Sequence, residues 1–389
     1  MISEKMGMGF RASLSRVLIT AGLFGLIAGG TPALAIDTTA REALLVDYDT
    51  GAVLFEKNAD TLMPPASMSK IMTAYLAFDR IKRGRLSLDD EIPISEKAWR
   101  KGGSKMFVEV NTRVKVEDIL RGIIVQSGND AAIALAEALE GSEAAFADAM
   151  TEKAHELGMM DTTYRNATGW PDPDHRMTAR DLVTLAIATI RDFPEFYPIY
   201  SETTYTYNKI KQGNRNPLLY KGIGADGLKT GHTNAAGYGL TASVKRAGRR
   251  LILVVNGLGS VRARTSESQS LIEWGFREFD NYNLLSVDEP VENADVWLGT
   301  AKTVPLVLKE DLLLTLPRSA RKKMKVSVIV EEPVPAPIEK GQRVATLKIA
   351  APEIEAIELP LFAGAGVERL GVLNRVMAAV GYLIWGAGG

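Results

Sequence analysis

Strand-forming segments flank a long helix-forming stretch in the N-terminal part of this chain. Residues 41–58 hold two apolar, β-branched runs on either side of positions 49–51, a pattern typical of a β-hairpin. Residues 238–260 predict two further strands joined around positions 247–248. Across residues 95–190, apolar residues recur every three or four positions, which predicts helices. One sheet must therefore take strands from both ends of the segment around a helical insertion, which is an α/β (α+β) architecture.

Two helices of this domain are predicted by capping pairs. Thr178 and Asp181 stand three positions apart before an apolar run, and Ser266 and Gln269 repeat the spacing further on. A Ser or Thr followed three residues later by an acid or amide is a signature of a helix N-terminus. We expect one helix to begin at each pair, and we assign residues 36–282 to this first domain.

The N-terminus carries the three regions of a secretory signal peptide. Basic residues precede an apolar run at 17–28, and an A-x-A cleavage site ends at Ala35. The apolar run is shorter than the roughly 20 residues that a membrane span needs. Cleavage after Ala35 is therefore favoured over an uncleaved membrane anchor, and residues 1–35 predict an exported protein.

Composition excludes two further classes of function. The chain contains no cysteine, so it has neither disulfides nor thiolate metal sites. Its formal net charge is −1, and no basic excess for binding nucleic acid is present.

The character of the sequence changes after residue 282. Residues 283–362 consist of short alternating or β-branched runs broken by proline and glycine, and they predict a small all-β domain. Residues 363–389 predict an amphipathic helix. Its apolar stripe comprises Val367, Leu370, Leu373, Val376, Met377, Val380 and Ile384.

This C-terminal helix has three possible placements. It can pack on the β-rich domain, cross a membrane, or lie flat on a membrane surface. Crossing is disfavoured because Arg375 would sit near the middle of a short apolar span. A stripe backed by Glu368 and Arg369 suits an interfacial helix, so we expect it to anchor the protein on a membrane surface.

The segment "PPASMSKIMTAYLAF" places Ser67 and Lys70 three positions apart at the start of a predicted helix. Residues at that spacing are neighbours on a helix, so the hydroxyl and the amine can approach each other. The pair then forms a nucleophile with its own base. The alternative is a capping serine followed by a solvated lysine. A second S-x-x-K, Ser319 to Lys322, lacks a following apolar helix, and we interpret it as a surface turn.

The three histidines do not by themselves supply a catalytic base. His155 lies in a helical pattern, His175 in the loop "PDPDHRM", and His232 directly after Gly231. None stands near a G-x-S-x-G nucleophile elbow, so a Ser-His-Asp triad is unsupported. The acidic loop around His175 lacks metal-ligand spacing and is more typical of a turn.

Two further motifs make a lysine base plausible. "QSGNDAA" places Ser127 and Asn129 before a helix, and "DGLKTGHT" places Lys229, Thr230 and Gly231 at the start of a strand. A lysine can act as a base where burial keeps it neutral. The order S-x-x-K, S-x-N, K-T-G is that of the penicillin-recognising serine enzymes.

On these motifs the chain resembles the low-molecular-mass penicillin-binding proteins of the serine-type D-alanyl-D-alanine carboxypeptidase family. The blocks "GSKMFVEV", "NATGWPDPDHRMTARDL" and "DGLKTGHTNAAGYGLTAS" extend the resemblance over nearly everything after the signal peptide. The resemblance implies the penicillin-binding, serine β-lactamase-like fold and no metal or organic cofactor. It also implies removal of the terminal D-alanine from peptidoglycan stem pentapeptides through an acyl-enzyme, with β-lactam antibiotics as covalent inhibitors.

The resemblance further implies catalytic roles for five residues. Ser67 would attack the carbonyl of the penultimate D-alanine, and Lys70 would accept its proton. Ser127 would relay a proton to the departing amine. Asn129 would hold Lys70 and the substrate amide, and Lys229 would add positive charge beside the relay.

Substrate binding is implied for a second set of residues. Thr230, in the motif that Gly231 completes, would bind the terminal carboxylate of the substrate with help from Arg264. The backbone N–H groups of Ser67 and His232 would form the oxyanion hole. Arg215 is a weaker match of the same type as Arg264, and an ordinary surface arginine is the alternative for both.

Rival functions stay open at this point. A β-lactamase needs a second base, but the Glu-x-x-Leu-Asn block of class A enzymes is absent where this chain reads "NATGWPD". D,D-Endopeptidase or transpeptidase activity differs only in the bond cleaved or the acyl acceptor. An inactive peptidoglycan-binding scaffold is the alternative from another class. The family resemblance places the enzyme on the periplasmic face of the cytoplasmic (inner) membrane.

Overall fold

The structure, a computed structural model, describes residues 36–287, 289–330, 333–352, 356–374, 376 and 377. The predicted signal peptide and most of the C-terminal apolar stripe lie outside these residues. The described chain contains a larger α+β part and a smaller β-rich part. Within it, no helix is long and apolar enough to cross a membrane.

A five-stranded antiparallel sheet forms the framework of the larger part, in the order β2-β1-β9-β8-β7. Its strands are β1 (Glu42–Asp47), β2 (Val53–Lys57), β7 (Ala225–Thr233), β8 (Gly237–Arg246) and β9 (Arg249–Leu258). The pairing of β1 with β9 confirms that the sheet takes strands from both ends of the segment. Ala247 and Gly248 both have positive φ, as the tight turn between β8 and β9 requires.

Six helices occupy the insertion between β2 and β7, and one follows β9. They are α1 (Lys70–Lys82), α2 (Glu96–Arg100), α3 (Val116–Ile124), α4 (Asn129–Glu140), α5 (Glu143–Glu156), α6 (Ala179–Asp192) and α7 (Val261–Glu278). Two antiparallel strand pairs complete the insertion: β3 (Glu91–Pro93) pairs with β4 (Arg113–Lys115) beyond α2, and β5 (Thr204–Tyr207) forms a hairpin with β6 (Ile210–Gly213). All residues from 70 to 78 of α1 are buried, so this helix runs through the core.

The capping predictions have different outcomes. The Thr178 hydroxyl accepts the Asp181 N–H at 3.0 Å and caps α6 as predicted. The prediction for Ser266 is wrong, because α7 begins at Val261 with Ser260 as its cap. Ser266 lies inside the helix, where its hydroxyl bonds to the Arg262 carbonyl at 3.1 Å.

The smaller part contains the C-terminal strands and one short helix. These are β10 (Phe279–Leu285), β11 (Glu292–Trp297), β12 (Thr303–Val307), β13 (Leu312–Pro317), α8 (Arg318–Arg321), β14 (Lys325–Val330), β15 (Val334–Pro335), β16 (Arg343–Ala350) and β17 (Ile357–Ala363). Strand β10 pairs with β13, so the domain boundary that we predict at 283 falls inside a strand. Ser319 lies in α8 rather than in the expected turn.

The start of the predicted C-terminal helix requires a correction. Val367 pairs with Ile338 and is only 3% exposed, within the core of the β-rich part. The Leu370 N–H bonds to the Leu298 carbonyl at 2.9 Å, so residues 367–370 extend this β structure. Helical residues begin at Val372. Of the predicted stripe, Leu373, Val376 and Met377 are helical and exposed, and Val380 and Ile384 lie outside the described residues.

Candidate active site

The proposed nucleophile lies on a short 3-10 turn immediately before α1. This turn spans Ala66–Ser69 and follows two prolines that stop regular structure. Ser67 is therefore in the turn rather than in the α-helix itself, and Lys70 is the first residue of α1. The expected approach is present, because Lys70 Nζ lies 2.9 Å from Ser67 Oγ.

Lys70 is buried and has three polar contacts. Besides Ser67, its ammonium bonds to Asn129 Oδ1 at 2.7 Å and to the Thr168 carbonyl at 2.6 Å. Burial, together with the smaller effect of the nearby positive charge of Arg215, lowers the pKa of Lys70 from 10.5 to about 7. A lysine with this pKa is neutral in about half of the molecules at pH 7 and can accept a proton.

Asn129 is the first residue of α4, and Ser127 lies two residues before it. Ser127 is buried and has a φ of 60°, a left-handed conformation that a non-glycine residue adopts only when its surroundings hold it there. Asn129 Nδ2 donates to the Gly102 carbonyl at 2.9 Å, which orients the amide oxygen towards Lys70. The Asp130 carboxylate accepts three backbone N–H groups from residues 106–108 and fixes this loop beside the site.

The Lys-Thr-Gly motif lies on edge strand β7, against the nucleophile turn. Lys229 and Thr230 are buried. A Cβ atom on Gly231 would lie 2.7 Å from the Pro65 carbonyl oxygen, so only glycine permits this close approach. Burial lowers the pKa of Lys229 well below its usual value, and the charge of Lys70 adds to this effect.

Two arginines extend this cluster of positive charge. Arg264 on α7 is 6% exposed and lies over the Tyr238 ring, and its Nε atom has no hydrogen-bond partner among the described residues. Burial lowers the pKa of both Arg264 and Arg215, and both arginines lower the pKa of Lys229. Several buried cations in one cleft form a site that favours an anion such as a carboxylate.

Arg215 and His232 occupy the mouth of the site. The Arg215 guanidinium bonds to the Ser104 hydroxyl, and Arg215 is itself exposed, although its charge lowers the pKa of Lys70. The His232 ring is exposed and lies 3.9 Å from the Tyr238 ring, centroid to centroid.

Several neighbours of the site carry no recognisable chemistry in the sequence. Thr168 contributes only its carbonyl to Lys70, and Gly169 packs on the nucleophile turn. Trp170 is 43% exposed, and the Lys101 ammonium lies 4.0 Å from its ring. An adjoining cleft of about 250 Å³ is lined by residues that include Pro64, Ala66, Gly169, Trp170, Thr233 and Ala235. In the sequence, Thr168, Gly169 and Trp170 are marked only by the block "NATGW".

The histidines do not form a serine triad with Ser67. His175 Nε2 lies 2.8 Å from the hydroxyl of Ser69, two positions along the chain. His155 is exposed on α5 and contacts the Thr162 carbonyl. Lys70 is thus the basic side chain in contact with the Ser67 hydroxyl, an arrangement that suits nucleophilic acyl transfer by a serine.

Comparison with known proteins agrees with this chemistry. A D-alanyl-D-alanine carboxypeptidase family model matches residues 30–259, and a model of the penicillin-binding protein 5 C-terminal domain matches residues 279–369. The chain is 39% identical over 345 residues to D-alanyl-D-alanine carboxypeptidase DacC of Escherichia coli (strain K12), covering 87% of this chain and 86% of the relative.

Solved structures show the same similarity. The D-alanyl-D-alanine carboxypeptidase DacD of Francisella tularensis matches with a TM-score of 0.80 and 33% identity, over 87% of this chain and 96% of that one. Penicillin binding protein 5 of Haemophilus influenzae matches with a TM-score of 0.76 and 36% identity, over 86% of this chain and 99% of that one.

The fold and the site define a penicillin-binding protein that is a serine-type peptidase. The chain belongs to the D-alanyl-D-alanine carboxypeptidase family, since the family model covers more than half of it and relatives match along most of its length. The α+β fold followed by a β-rich C-terminal domain is thereby confirmed.

Proposed function

We propose that the chain removes the terminal D-alanine of peptidoglycan stem pentapeptides through an acyl-enzyme on Ser67. One observation carries the proposal: Lys70 Nζ lies 2.9 Å from Ser67 Oγ, and its pKa is held at about 7. Ser67 is only half-buried, whereas Lys70 is buried behind it. The nucleophile is thus open to substrate while its base is kept from solvent.

Acylation begins with attack of Ser67 Oγ on the carbonyl carbon of the penultimate D-alanine. The hydroxyl proton passes to neutral Lys70, which Asn129 and the Thr168 carbonyl hold in place. The backbone N–H groups of Ser67 and His232 stabilise the negative charge that develops on the carbonyl oxygen.

Collapse of the tetrahedral intermediate breaks the peptide bond. Ser127 relays a proton to the departing D-alanine amine, with Lys229 beside the relay. Water then attacks the ester, releases the shortened peptide and restores the Ser67 hydroxyl. The net reaction is hydrolysis of one amide bond, with no redox change.

The cationic end of the cleft binds the terminal carboxylate. Thr230, preceding Gly231 on β7, donates a hydrogen bond, while Arg264 and Arg215 supply positive charge. The unpartnered Nε of buried Arg264 supports this role, because a buried donor without a partner is costly unless a ligand satisfies it.

Product analysis on a purified pentapeptide tests the proposal, with penicillin labelling in parallel. The wild type should release one D-alanine per peptide and form a covalent penicillin adduct. Ser67→Ala should lose both, with a fall on the order of 10⁶ in rate. Lys70→Arg should also fail although the charge is kept, because arginine does not act as a base at working pH. A labelled Ser67→Ala protein would refute the assignment, and an unlabelled wild type would indicate a scaffold.

Two related activities are outcomes of the same assay. Cleavage of cross-linked dimers would indicate D,D-endopeptidase activity, because the two reactions share the acyl-enzyme. Rapid release of hydrolysed penicillin would indicate a β-lactamase.

We also propose that the protein is exported and anchored to the periplasmic face of the cytoplasmic membrane by its C-terminal segment. The A-x-A site at Ala35 and the exposed apolar residues from Val372 onwards support this placement. Val367 is part of the β-rich core, so the informative truncation ends at Gly371. The truncated protein should be folded, active and free of membranes, and sedimentation with membranes would contradict the anchor.

A further inference from the structure

The peptide group between Ala66 and Ser67 is held from two sides. Its carbonyl oxygen belongs to Ala66 and its N–H belongs to Ser67, and the two point in opposite directions in one plane. Any contact that fixes the oxygen therefore also fixes the direction of the N–H. Ala66 has a φ of 49°, a conformation that is unfavourable for alanine and must be maintained by its surroundings.

Gly169 supplies the packing on this peptide group. A Cβ atom at position 169 would lie 1.8 Å from the Ala66 oxygen and 2.3 Å from the Ala66 carbonyl carbon. The absence of a side chain lets the "NATGW" loop lie directly on the peptide plane.

Ser69 supplies the hydrogen bond. Its hydroxyl, buried in the same 3-10 turn, donates to the Ala66 carbonyl oxygen at 2.9 Å. The same hydroxyl lies 2.8 Å from His175 Nε2. Because the only hydroxyl hydrogen is used on Ala66, Ser69 must accept the hydrogen bond from His175.

The His175 ring is oriented by its other nitrogen. Nδ1 accepts the Arg165 backbone N–H at 3.2 Å, so the ring proton resides on Nε2 and points at Ser69. Burial lowers the pKa of His175 to about 4, so this neutral tautomer persists at physiological pH. A directed chain of hydrogen bonds therefore runs from Arg165 through His175 and Ser69 to Ala66.

We propose that His175 is a positioning residue that, through Ser69, aims the Ser67 N–H at the substrate oxyanion. The inference rests on the proposed function, in which this N–H forms half of the oxyanion hole. His175 contacts neither substrate nor nucleophile in this scheme. Its contribution appears only when negative charge develops on the carbonyl oxygen, so its loss lowers kcat and leaves substrate binding nearly unchanged.

Substitutions at position 175 with side chains of different length distinguish this positioning role from a general role of His175 in folding. Glutamine at position 175 reaches as far as Nε2 and restores the donor to Ser69. Asparagine reaches only as far as Nδ1, so it keeps the acceptor for Arg165 but loses the contact with Ser69. His155→Gln is the matched control, because His155 is exposed and lies outside the site.

The experiment measures kcat and KM on a D-alanyl-D-alanine pentapeptide and the affinity of a peptide boronic acid that forms a tetrahedral adduct. Removing a whole oxyanion donor costs about 10²–10³ in rate, so a misdirected donor should cost roughly ten- to a hundredfold. We expect that fall in kcat and in boronic-acid affinity for His175→Asn and Ser69→Ala, with KM nearly unchanged. His175→Gln should stay within about threefold of wild type, as should His155→Gln. The His175→Asn/Ser69→Ala double variant should be no worse than either single variant, because both break the same chain.

Three results would overturn the proposal. One is a His175→Asn protein with wild-type kcat, another is a variant that raises KM alone, and the third is additive loss in the double variant. Thermal unfolding of each variant identifies a rate loss that is due to misfolding, and His175→Gln then carries the test. A wild type without activity on the pentapeptide would instead refute the proposed function.

Discussion

The depressed pKa of Lys70 gives the most quantitative prediction. The decrease from 10.5 to about 7 corresponds to roughly 5 kcal/mol of differential interaction between its two protonation states. With an ordinary pKa, only about one lysine in 3,000 would be neutral at pH 7, against about half here. The buried setting of Lys70 should therefore raise the fraction of neutral Lys70 at neutral pH by about three orders of magnitude.

The pH profile of acylation measures this effect directly. Neutral Lys70 is the active form, so the second-order rate of penicillin acylation should fall tenfold per pH unit below about 7 and level off above it. Because the Arg215 charge lowers the pKa of Lys70, Arg215→Gln should move this acid limb to higher pH. Arg264→Gln is the comparison, since its charge acts on Lys229.

Both arginine variants should bind the penicillin carboxylate more weakly. That weaker binding does not change the pH below which the acylation rate begins to fall. Stopped-flow labelling with a fluorescent penicillin between pH 5 and 9 gives both quantities. The reasoning fails if acylation does not depend on pH in this range. It also fails if Arg215→Gln leaves the limb in place.

Two substitutions test the scaffold around the site. Gly169→Ala should abolish penicillin labelling and lower the melting temperature. The new methyl group would lie 1.8 Å from the Ala66 oxygen, so the backbone would have to move. A fully labelled variant would contradict the close approach. Asp47→Ala should destabilise the fold by about 3–5 kcal/mol, because it leaves the nearly buried Arg249 without its 2.7 Å partner, yet the folded fraction should keep its labelling rate. For Asp47→Ala, chemical denaturation measures the loss of stability, and active-site titration measures the labelling of the folded fraction. An unfolding curve unchanged from wild type would count against the buried pair.

The part of the site that the sequence predicted is the part that acts through side chains. Ser67, Lys70 and Asn129 belong to short motifs whose spacing constrains geometry, and the structure joins them by direct hydrogen bonds. The Ser67–Lys70 prediction holds although Ser67 lies in a 3-10 turn. A turn of this kind still places residues three apart on one side of the chain.

The part that the sequence did not predict acts through the main chain or through packing. Thr168 supplies a carbonyl, which every residue type possesses, and Gly169 is needed for the atom that it lacks. His175 contacts Ser69 across 106 positions of sequence. No local periodicity encodes a contact of that range, so its role emerges only from the tertiary structure.

The C-terminal stripe shows a different limit. In the sequence, Val367 belongs to a helical repeat with later apolar residues, but in the structure it pairs with Ile338 in an extended conformation. Over a few positions, apolar periodicity cannot distinguish a helix from a strand. Burial in the β-rich core decided the outcome, because pairing satisfies the backbone of residues 367–370 and covers the valine. Among the described residues after 367, the exposed large apolar side chains are those of Val372, Leu373, Val376 and Met377.

The fold itself lowers the pKa of an ordinary lysine. Helix α1 is buried along its first nine residues, so its first side chain, Lys70, points into protein and loses hydration. Strand β7 then brings Lys229 close, and Gly231 allows the strand to approach the nucleophile turn. The charge of Lys70 lowers the pKa of Lys229, whereas burial and the charge of Arg215 lower the pKa of Lys70, which favours a neutral amine next to Ser67 at neutral pH. In the proposed function, the charges of Arg215 and Arg264 also attract the carboxylate at the end of the substrate, so the arginines that lower the lysine pKa values would help to select the peptide terminus.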